Sequence, residues 1–266
     1  MRWTERQRAM LQAIGVRLFE ATPAIAQAQP SVRPEVSPGA ARGPSIPQGE
    51  RAGSSTPRGE RIAIAPADIA LLGWDALREA VAACQACALG QSRQQTVFGT
   101  GNRQAHWMIV GEAPGEQEDR QGEPFVGDSG QLLDNMLSAL GLSRTEGPPE
   151  RQVFIANTLK CRPPRNRNPE PAETAQCAPF LQRHIALVAP RIVLAMGRFA
   201  AQALLGSSEP VGKLRGRIHR VKSLQDVPVV VTYHPAYLLR TPADKARAWE
   251  DLCLAATAVE ESRSHE

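Results

Sequence analysis

Residues 107–115 read Trp-Met-Ile-Val-Gly-Glu-Ala-Pro-Gly, a short apolar run that ends at a glycine and opens into a loop. Further short apolar runs follow at 153–156, 192–196 and 229–232, and segments with helical spacing separate them. Short buried strands that alternate with helices indicate a mostly parallel sheet covered on both faces. The sequence therefore predicts an α/β fold, with three α/β/α layers around a central, mostly parallel four-stranded sheet. The predicted helices cover residues 68–83, 129–140, 171–188, 198–205 and 242–261.

Charge is distributed unevenly along the 266-residue chain. The formal net charge is +4, and residues 1–66 carry all of it, because residues 67–266 hold equal numbers of basic and acidic side chains. The overall basicity is therefore no argument for nucleic-acid binding by the second part. An apolar fraction of 42% excludes a wholly disordered chain, and no run approaches the roughly 18 apolar residues that a membrane span requires.

The cysteines and the N-terminus bear on the cellular compartment. Five scattered cysteines do not form the dense framework of a small secreted domain. The first residues also lack an apolar stretch that could serve as a signal peptide. Both observations predict a protein of the reducing cytoplasm.

The first quarter of the chain differs in composition from the rest. Residues 1–20 predict a short helix that could serve as a docking peptide. Residues 21–66 contain eight prolines and five glycines. A segment of this composition buries too little apolar surface to offset the entropy cost of ordering. We therefore expect a disordered linker, preceding a folded domain over residues 67–266.

An acid, an amide, a glycine and an imidazole follow the four predicted strands. These residues are Glu112, Asn157, Gly197 and His234. Because ligand sites of parallel sheets lie beyond the carboxyl ends of the strands, we expect them to converge at one edge. Such a set predicts a functional site, although it fits many α/β enzymes.

The loop from Gly111 to Asp119 has two interpretations on composition alone, an acidic surface turn or part of a site. It lacks the Gly-Lys-Ser/Thr ending of a phosphate-binding loop and the GxGxxG of a dinucleotide fold. Its four carboxylates would also repel a triphosphate. An NTP-dependent enzyme is therefore the least favoured function.

Four motifs of this chain occur together in one known family. In order, they are Gly111–Asp119, Gly122–Gly127, Asn157–Pro164 and His234–Arg240. Over about residues 75–255 the chain resembles the iron–sulfur uracil-DNA glycosylases, the type 4 branch of the uracil-DNA glycosylase superfamily. The resemblance implies a monofunctional hydrolase that flips uracil out of DNA and cleaves its N-glycosidic bond. The product would be an abasic site, which starts base excision repair.

The resemblance also implies how the base is held. Phe125 would stack on the flipped uracil, and Asn157 would accept a hydrogen bond from N3–H and donate one to O4. Glu118 would shape the pocket near uracil C5, with Ala113 beside it. The plainer alternatives are a core phenylalanine and a solvated loop acid.

Two further residues would act on the bond that breaks. His234 would donate to uracil O2 as negative charge builds on the departing base. Ala113 stands where better-known uracil glycosylases place an aspartate that orients the attacking water. Glu112 is therefore the nearest candidate for the water, and leaving-group stabilisation would supply most of the catalysis.

DNA contacts outside the pocket follow from the same resemblance and from regional charge. Leu238 would fill the space left by the flipped nucleotide, with Tyr237 and Leu239 as alternatives. Residues 151–222 carry thirteen basic and three acidic side chains, and such clusters set affinity for phosphates rather than base choice. The predicted phosphate contacts are Arg162, Arg165, Arg167, Lys213 and Arg215.

Four of the cysteines predict one metal site. Cys84 and Cys87 form a CxxC turn, and Cys161 and Cys177 flank a proline-rich loop. Four thiolates could hold zinc or an iron–sulfur cluster, and their identity alone does not decide between them. The family resemblance implies a [4Fe–4S] cluster that pins these segments together. Cys253, in an apolar helical stretch, is expected in the core.

The predicted partner is uracil-containing DNA, single- or double-stranded, bound by a monomer without membrane contact. Residues 7–19 resemble peptides that dock repair proteins onto a replication sliding clamp or clamp loader; an extension without a partner is the alternative.

Two alternative functions stay open. One is a non-catalytic, cluster-bearing DNA-binding scaffold for repair. The other is a neighbouring glycosylase branch with broader choice of deaminated bases, although residues 158–177 contain no histidine that could trap DNA covalently.

Overall fold

The four apolar runs form the centre of a six-stranded sheet. In the computed structural model, which describes residues 65–264, the strands in chain order are β1 (Thr100–Gly101), β2 (Trp107–Gly111), β3 (Val153–Asn157), β4 (Ile192–Met196), β5 (Ile218–Arg220) and β6 (Pro228–Thr232). The central strands pair in parallel in the order β3-β2-β4-β6. Every residue of β2, β3 and β4 is buried, as expected for strands covered on both faces. The predicted α/β class and parallel centre are confirmed.

The prediction of four strands was incomplete, because two short strands extend the sheet at its edges. β1 pairs antiparallel with β3, and β5 pairs antiparallel with β6. Neither edge strand has an apolar run; β5 alternates between exposed and partly buried residues. Two- and three-residue strands are defined by their partner rather than by their own sequence, so periodicity does not reveal them.

Ten helices of the described region surround the sheet. They are α1 (Pro66–Ile69), α2 (Trp74–Ala83), α3 (Leu89–Ser92), α4 (Glu116–Gln121), α5 (Asp128–Ala139), α6 (Pro171–Val188), α7 (Arg198–Leu205), α8 (Val211–Leu214), α9 (Pro235–Arg240) and α10 (Lys245–Ser264). Four 3₁₀ turns lie at Pro149–Arg151, Pro164–Asn166, Lys222–Leu224 and Pro242–Asp244. The helix predicted over 68–83 is interrupted, because Gly73 is extended and caps α2. Between residues 65 and 264, no helix has both the length and the apolar character to cross a bilayer.

Each face of the sheet has its own hydrophobic core. On one face Ile109 packs with Leu133 of α5 and Trp249 of α10. On the other face Met108 packs with Leu181 of α6. Cys253 is partly buried and packs against the first core. The three predicted layers are therefore present, and the strand ends are free to form a site. The N-terminal helix, its docking peptide at 7–19 and the linker up to residue 64 lie outside the described residues.

Candidate functional site

The carboxyl ends of the parallel strands open into one cleft of about 810 Å³. Glu112, Asn157, Gly197 and His234, which end or follow β2, β3, β4 and β6, all line it. The strand order thus brings together residues that are up to about 120 positions apart in the sequence. The predicted base-pocket residues Ala113, Glu118 and Phe125 line the same cleft.

Asn157 presents an unpaired acceptor inside this cleft. Its side chain is 2% exposed, and Oδ1 has no hydrogen-bond partner among the described residues. Gly111 on the neighbouring strand leaves room for it, because a Cβ there would collide with Asn157 Oδ1 and lie 2.6 Å from Phe125 Cζ. Buried polar atoms are nearly always paired, so this oxygen is suited to a ligand donor.

Phe125 belongs to both the core and the cleft. It is 6% exposed, it packs in the first core, and its ring stacks on His234 with centroids 5.4 Å apart. Its φ of 56° lies in the left-handed region, which is uncommon for a large side chain. Arg144 Nη1 donates to its carbonyl oxygen at 3.2 Å and helps to hold this turn. The ring therefore supplies an apolar wall without losing its packing.

Glu118 connects the two loops that form the cleft wall. Its carboxylate accepts hydrogen bonds from the N–H groups of Gly115 at 3.1 Å and of Val126 and Gly127 at 3.0 and 3.3 Å. Glu118 is therefore engaged with backbone rather than solvated as a free surface acid. It fixes the position of the loop that carries Phe125.

His234 is held in a defined tautomer. It caps α9, where Nδ1 accepts a hydrogen bond from the N–H of Ala236 at 3.1 Å. Burial lowers the pKa of His234 to about 4, and the nearby Arg240 lowers it as well. The ring is therefore neutral at pH 7, with its proton on Nε2 as a hydrogen-bond donor. A Cβ at Gly197 would lie 3.0 Å from His234 Cβ, which favours glycine at the end of β4.

Glu112 is partly buried in the cleft wall. Burial raises the pKa of its carboxyl group, and the positive charge of Arg198 opposes that rise. Its backbone carbonyl accepts from Leu159 N–H at 3.1 Å, which holds the loops after β2 and β3 together.

The prediction that Leu238 forms the DNA wedge is not supported by its position. Leu238 is 1% exposed and packs in the first core, because α9 lies against α5. The next residue, Leu239, is 44% exposed. Tyr237 lines the cleft and its hydroxyl donates to Asp244 at 2.6 Å. Helical periodicity places adjacent leucines on different faces, and only the tertiary contacts identify the inner one.

The predicted phosphate contacts divide into two groups. Of the arginines in the 162–167 loop, Arg167 lines the cleft but forms a bidentate ion pair with Glu173. Arg162 donates to Asn166 and faces Glu116 at 3.4 Å, whereas Arg165 is exposed and forms no ion pair within residues 65–264. Of the three, Arg167 alone is among the residues that line the cleft, and all three stay predicted DNA contacts.

Lys213 and Arg215 lie outside the cleft lining. Lys213 is exposed, but Arg215 is 15% exposed and pairs with Asp251 at 3.0 Å and Glu250 at 3.1 Å. The sequence reasoning missed two cations that do line the cleft, Arg198 and Arg240. Their signal was positional, because Arg198 directly follows Gly197 and Arg240 closes the His234 motif.

Cys84, Cys87, Cys161 and Cys177 line one small cavity of about 10 Å³ between α2, α3 and α6. None of the four forms a disulfide within the described residues. Burial raises the pKa of Cys177 to about 12 and also raises that of Cys161. In the described part of the chain, no three metal-binding side chains meet closely enough to hold a single metal ion.

Two cations border this cavity. Arg93 Nη1 donates to Cys161 Sγ at 3.1 Å and to the Cys84 carbonyl at 2.8 Å. Lys160 is 2% exposed, and its ammonium donates to the carbonyl of Asn157 at 2.9 Å. Burial lowers the pKa of Lys160 to about 8. Four soft thiol donors flanked by positive charge match the needs of a thiolate-bound metal group.

A family profile and several similar proteins identify the family of this chain. The profile of the Uracil DNA glycosylase superfamily matches residues 98–253. The chain is 40% identical over 184 residues to the type-4 uracil-DNA glycosylase of Pyrobaculum aerophilum, covering 67% of this chain and 90% of that protein. It is 39% identical over 173 residues to the type-4 enzyme of Archaeoglobus fulgidus (63% and 83% covered) and 39% identical over 170 residues to that of Thermotoga maritima (64% and 84%).

Proposed function

The chain belongs to the uracil-DNA glycosylase superfamily, and from this premise we propose which residues carry out its reaction. The enzyme is a hydrolytic N-glycosylase that removes uracil from DNA in repair. The comparisons therefore favour an enzyme over a non-catalytic scaffold. The observation that carries the proposed site is the buried Oδ1 of Asn157, which has no partner in the described part of the chain and lies beside Phe125 and Gly111.

We propose that Asn157 reads the uracil edge while Phe125 covers the ring face. Oδ1 accepts from uracil N3–H, and the side-chain amide donates to O4. Cytosine presents an acceptor at N3 and a donor at N4, so both groups of Asn157 would be left unpaired. Each unpaired buried group costs roughly 1–3 kcal/mol, which is enough for strong discrimination.

His234 is proposed to stabilise the leaving group. As the bond between C1′ and N1 breaks, its electron pair moves into the uracil ring, and Nε2–H of His234 donates to O2. The deoxyribose becomes oxocarbenium-like, water adds to C1′ and loses a proton, and uracil takes up a proton after release. A neutral, preoriented donor at the point where charge develops needs no reorganisation in the transition state. Arg198 and Arg240 add positive potential to the same cleft.

Glu112 is proposed to orient the attacking water. It is the carboxylate of the cleft wall at the end of β2, next to Ala113. Burial raises the pKa of its carboxyl group, and leaving-group stabilisation by His234 is proposed to supply most of the catalysis.

We propose Leu239, instead of Leu238, as the residue that occupies the gap left by the flipped nucleotide. It is exposed on the same short helix that His234 caps, so insertion would bring the histidine and the base together. Arg162, Arg165 and Arg167 are proposed to contact DNA phosphates on the side of the cleft. Such contacts make the affinity for DNA depend on salt concentration.

The four cysteines are proposed to hold a [4Fe–4S] cluster. Their shared cavity and the adjacent cations fit thiolate ligands, and the resemblance of the sequence motifs to the iron–sulfur branch implies iron rather than zinc. When bound, the cluster would crosslink the segments around Cys84–Cys87 and 161–177 rather than take part in base removal.

Excision assays on matched oligonucleotides test the proposed site. Single-turnover rates are measured for uracil, hypoxanthine, cytosine and thymine in single- and double-stranded contexts, for wild type and Asn157→Ala. We expect the wild type to excise uracil and the Asn157→Ala variant to lose this activity. Equal rates on uracil and cytosine in wild type would contradict the assignment of Asn157, and equal rates on uracil and thymine would contradict that of Glu118. Cluster content is measured separately as iron and sulfide per chain.

Clamp docking by residues 7–19 and a monomeric state also remain proposals. Recovery of a sliding clamp or clamp loader by the full chain, compared with a variant altered at Leu18 and Phe19, tests the first of them.

A further inference from the structure

Lys160 is a buried cation that the proposed chemistry leaves without a role. Its side chain is 2% exposed, and its ammonium makes one hydrogen bond within residues 65–264, to the Asn157 carbonyl at 2.9 Å. Taking an ammonium ion out of water costs several kcal/mol unless charge and hydrogen bonds compensate it. A compensating partner is therefore expected nearby.

The groups that face Lys160 are thiols and one imidazole. Cys161 and Cys177 lie close enough to interact with its charge, and Lys160 lines the same cavity as the four cysteines. His184 also lies close enough to interact with Lys160 and is buried in the neutral form, since burial holds its pKa well below the ordinary value. Metal-bound thiolates at the cysteines would supply the negative charge that the ammonium lacks.

The Lys160 ammonium donates to the backbone carbonyl of Asn157, the residue proposed to read the base. Beyond Asn157, Thr158 N–H donates to the Gly111 carbonyl at 3.0 Å and Leu159 N–H to the Glu112 carbonyl at 3.1 Å. The Asn157 carbonyl is held by Lys160. The peptide that orients the Asn157 side chain is thus fixed partly by the ammonium of a residue that also lines the cysteine cavity.

We propose that Lys160 is a positioning residue that links the cysteine site to base recognition. Its ammonium holds the Asn157 carbonyl by a hydrogen bond, and the negative charge of the bound thiolates holds the ammonium in place. This inference rests on the proposed cluster and on the proposed role of Asn157. It requires no electron transfer and no movement of protons. It explains why a lysine is buried between a structural centre and a catalytic strand end.

Arg93 offers a matched control. Like Lys160 it is a cation at the cysteine cavity, and it donates to Cys161 Sγ at 3.1 Å. Its other hydrogen bonds go to the carbonyls of Cys84 and Ala82, not to β3. Removing Arg93 should therefore weaken the cysteine site without acting through Asn157.

A double-mutant cycle on the full-length, cluster-loaded enzyme tests the inference. Lys160→Met should lower the single-turnover rate of uracil excision about 10- to 100-fold, the loss typical of a hydrogen bond to a charged group, and the same change in an Asn157→Ala background should cost less than about threefold. Iron and sulfide content and the visible absorption of the cluster are measured on each variant. Arg93→Gln should lower cluster content and combine additively with Asn157→Ala.

Each result bears on one proposal. If wild type carries no iron and sulfide after anaerobic reconstitution, the cofactor proposal fails independently of Lys160. If wild type is loaded and active but Lys160→Met excises uracil at the wild-type rate, or is slowed equally in both backgrounds, the link is overturned. Should Lys160→Met not fold, the same cycle is run with Lys160→Gln, and additivity there overturns the link.

Discussion

Two adjacent leucines on α9 provide the sharpest test of the proposed DNA contact. Leu238 points into the core with 1% of its surface exposed, whereas Leu239 is 44% exposed. Replacing each with alanine removes the same atoms from the same short helix. Because only their environments differ, the two variants should fail in different assays.

The expected magnitudes follow from these environments. Leu238→Ala leaves a cavity next to the first core, and buried Leu→Ala changes cost about 2–5 kcal/mol. At about 2–4 °C per kcal/mol for a domain of this size, the melting temperature should fall by roughly 4–20 °C. The Leu239 side chain is exposed in the free enzyme, so Leu239→Ala should change the free energy of unfolding by less than about 1 kcal/mol.

The assay compares stability with activity on two substrates. Unfolding in urea gives the stability of each variant, and single-turnover excision is measured on uracil in duplex and in single-stranded DNA at a temperature where both variants are folded. Leu239→Ala should lose about tenfold or more on the duplex and little on the single strand, where no stacked neighbours must be separated. The reasoning is refuted if Leu238→Ala keeps wild-type stability and shows the duplex-specific loss itself.

Four further predictions address the site. Asn157→Asp should slow uracil excision by about 10- to 100-fold, because the donor to O4 is lost; unchanged single-turnover rates would contradict the proposed reading. His234→Asn keeps a helix cap but removes a group whose pKa is about 4 in the folded protein and 6.5 as its ordinary value. Since the unfolded state binds the proton more tightly, the free energy of unfolding of the wild type falls as the pH drops from about 6.5 to 4. Urea unfolding at both pH values should show that this fall is about 3 kcal/mol smaller in the variant. Cys177→Ser should lose the iron of the cluster, while Cys253→Ser, outside the cavity, should keep it; equal iron in both would oppose the four-cysteine assignment. Gly111→Ala should reduce excision on the order of 100-fold by crowding Asn157 and Phe125, with the fold retained by circular dichroism.

Much of the fold could be predicted, because apolar runs and helical spacing are local signals. The strand predicted over 192–196 and the helix over 171–188 have the bounds seen in the structure. The edge strands could not be predicted, because β1 and β5 exist only through pairing with β3 and β6. The break at Gly73 likewise depends on how α2 packs rather than on apolar spacing.

Part of the candidate site could likewise be predicted from the sequence, and part of it could not. The sequence alone placed Glu112, Asn157 and His234 at the strand ends, since parallel strands bring their carboxyl ends to one edge. It also identified the four cysteines as one group. Which of two adjacent leucines faces outward, and that Arg215 is paired with Asp251, depend on packing partners far along the chain.

Sequence thus determined the chemistry of this protein, namely the α/β class, the motifs of a uracil-DNA glycosylase and the residue types at each strand end. Only the tertiary structure decided the state of those residues. It left Asn157 Oδ1 without a partner within residues 65–264, kept His234 neutral with its Nε2 proton, and placed the Lys160 ammonium between Asn157 and the cysteines. The physical reason is that burial and hydrogen-bond partners are set by residues distant in sequence, and these set both the protonation and the orientation of a side chain.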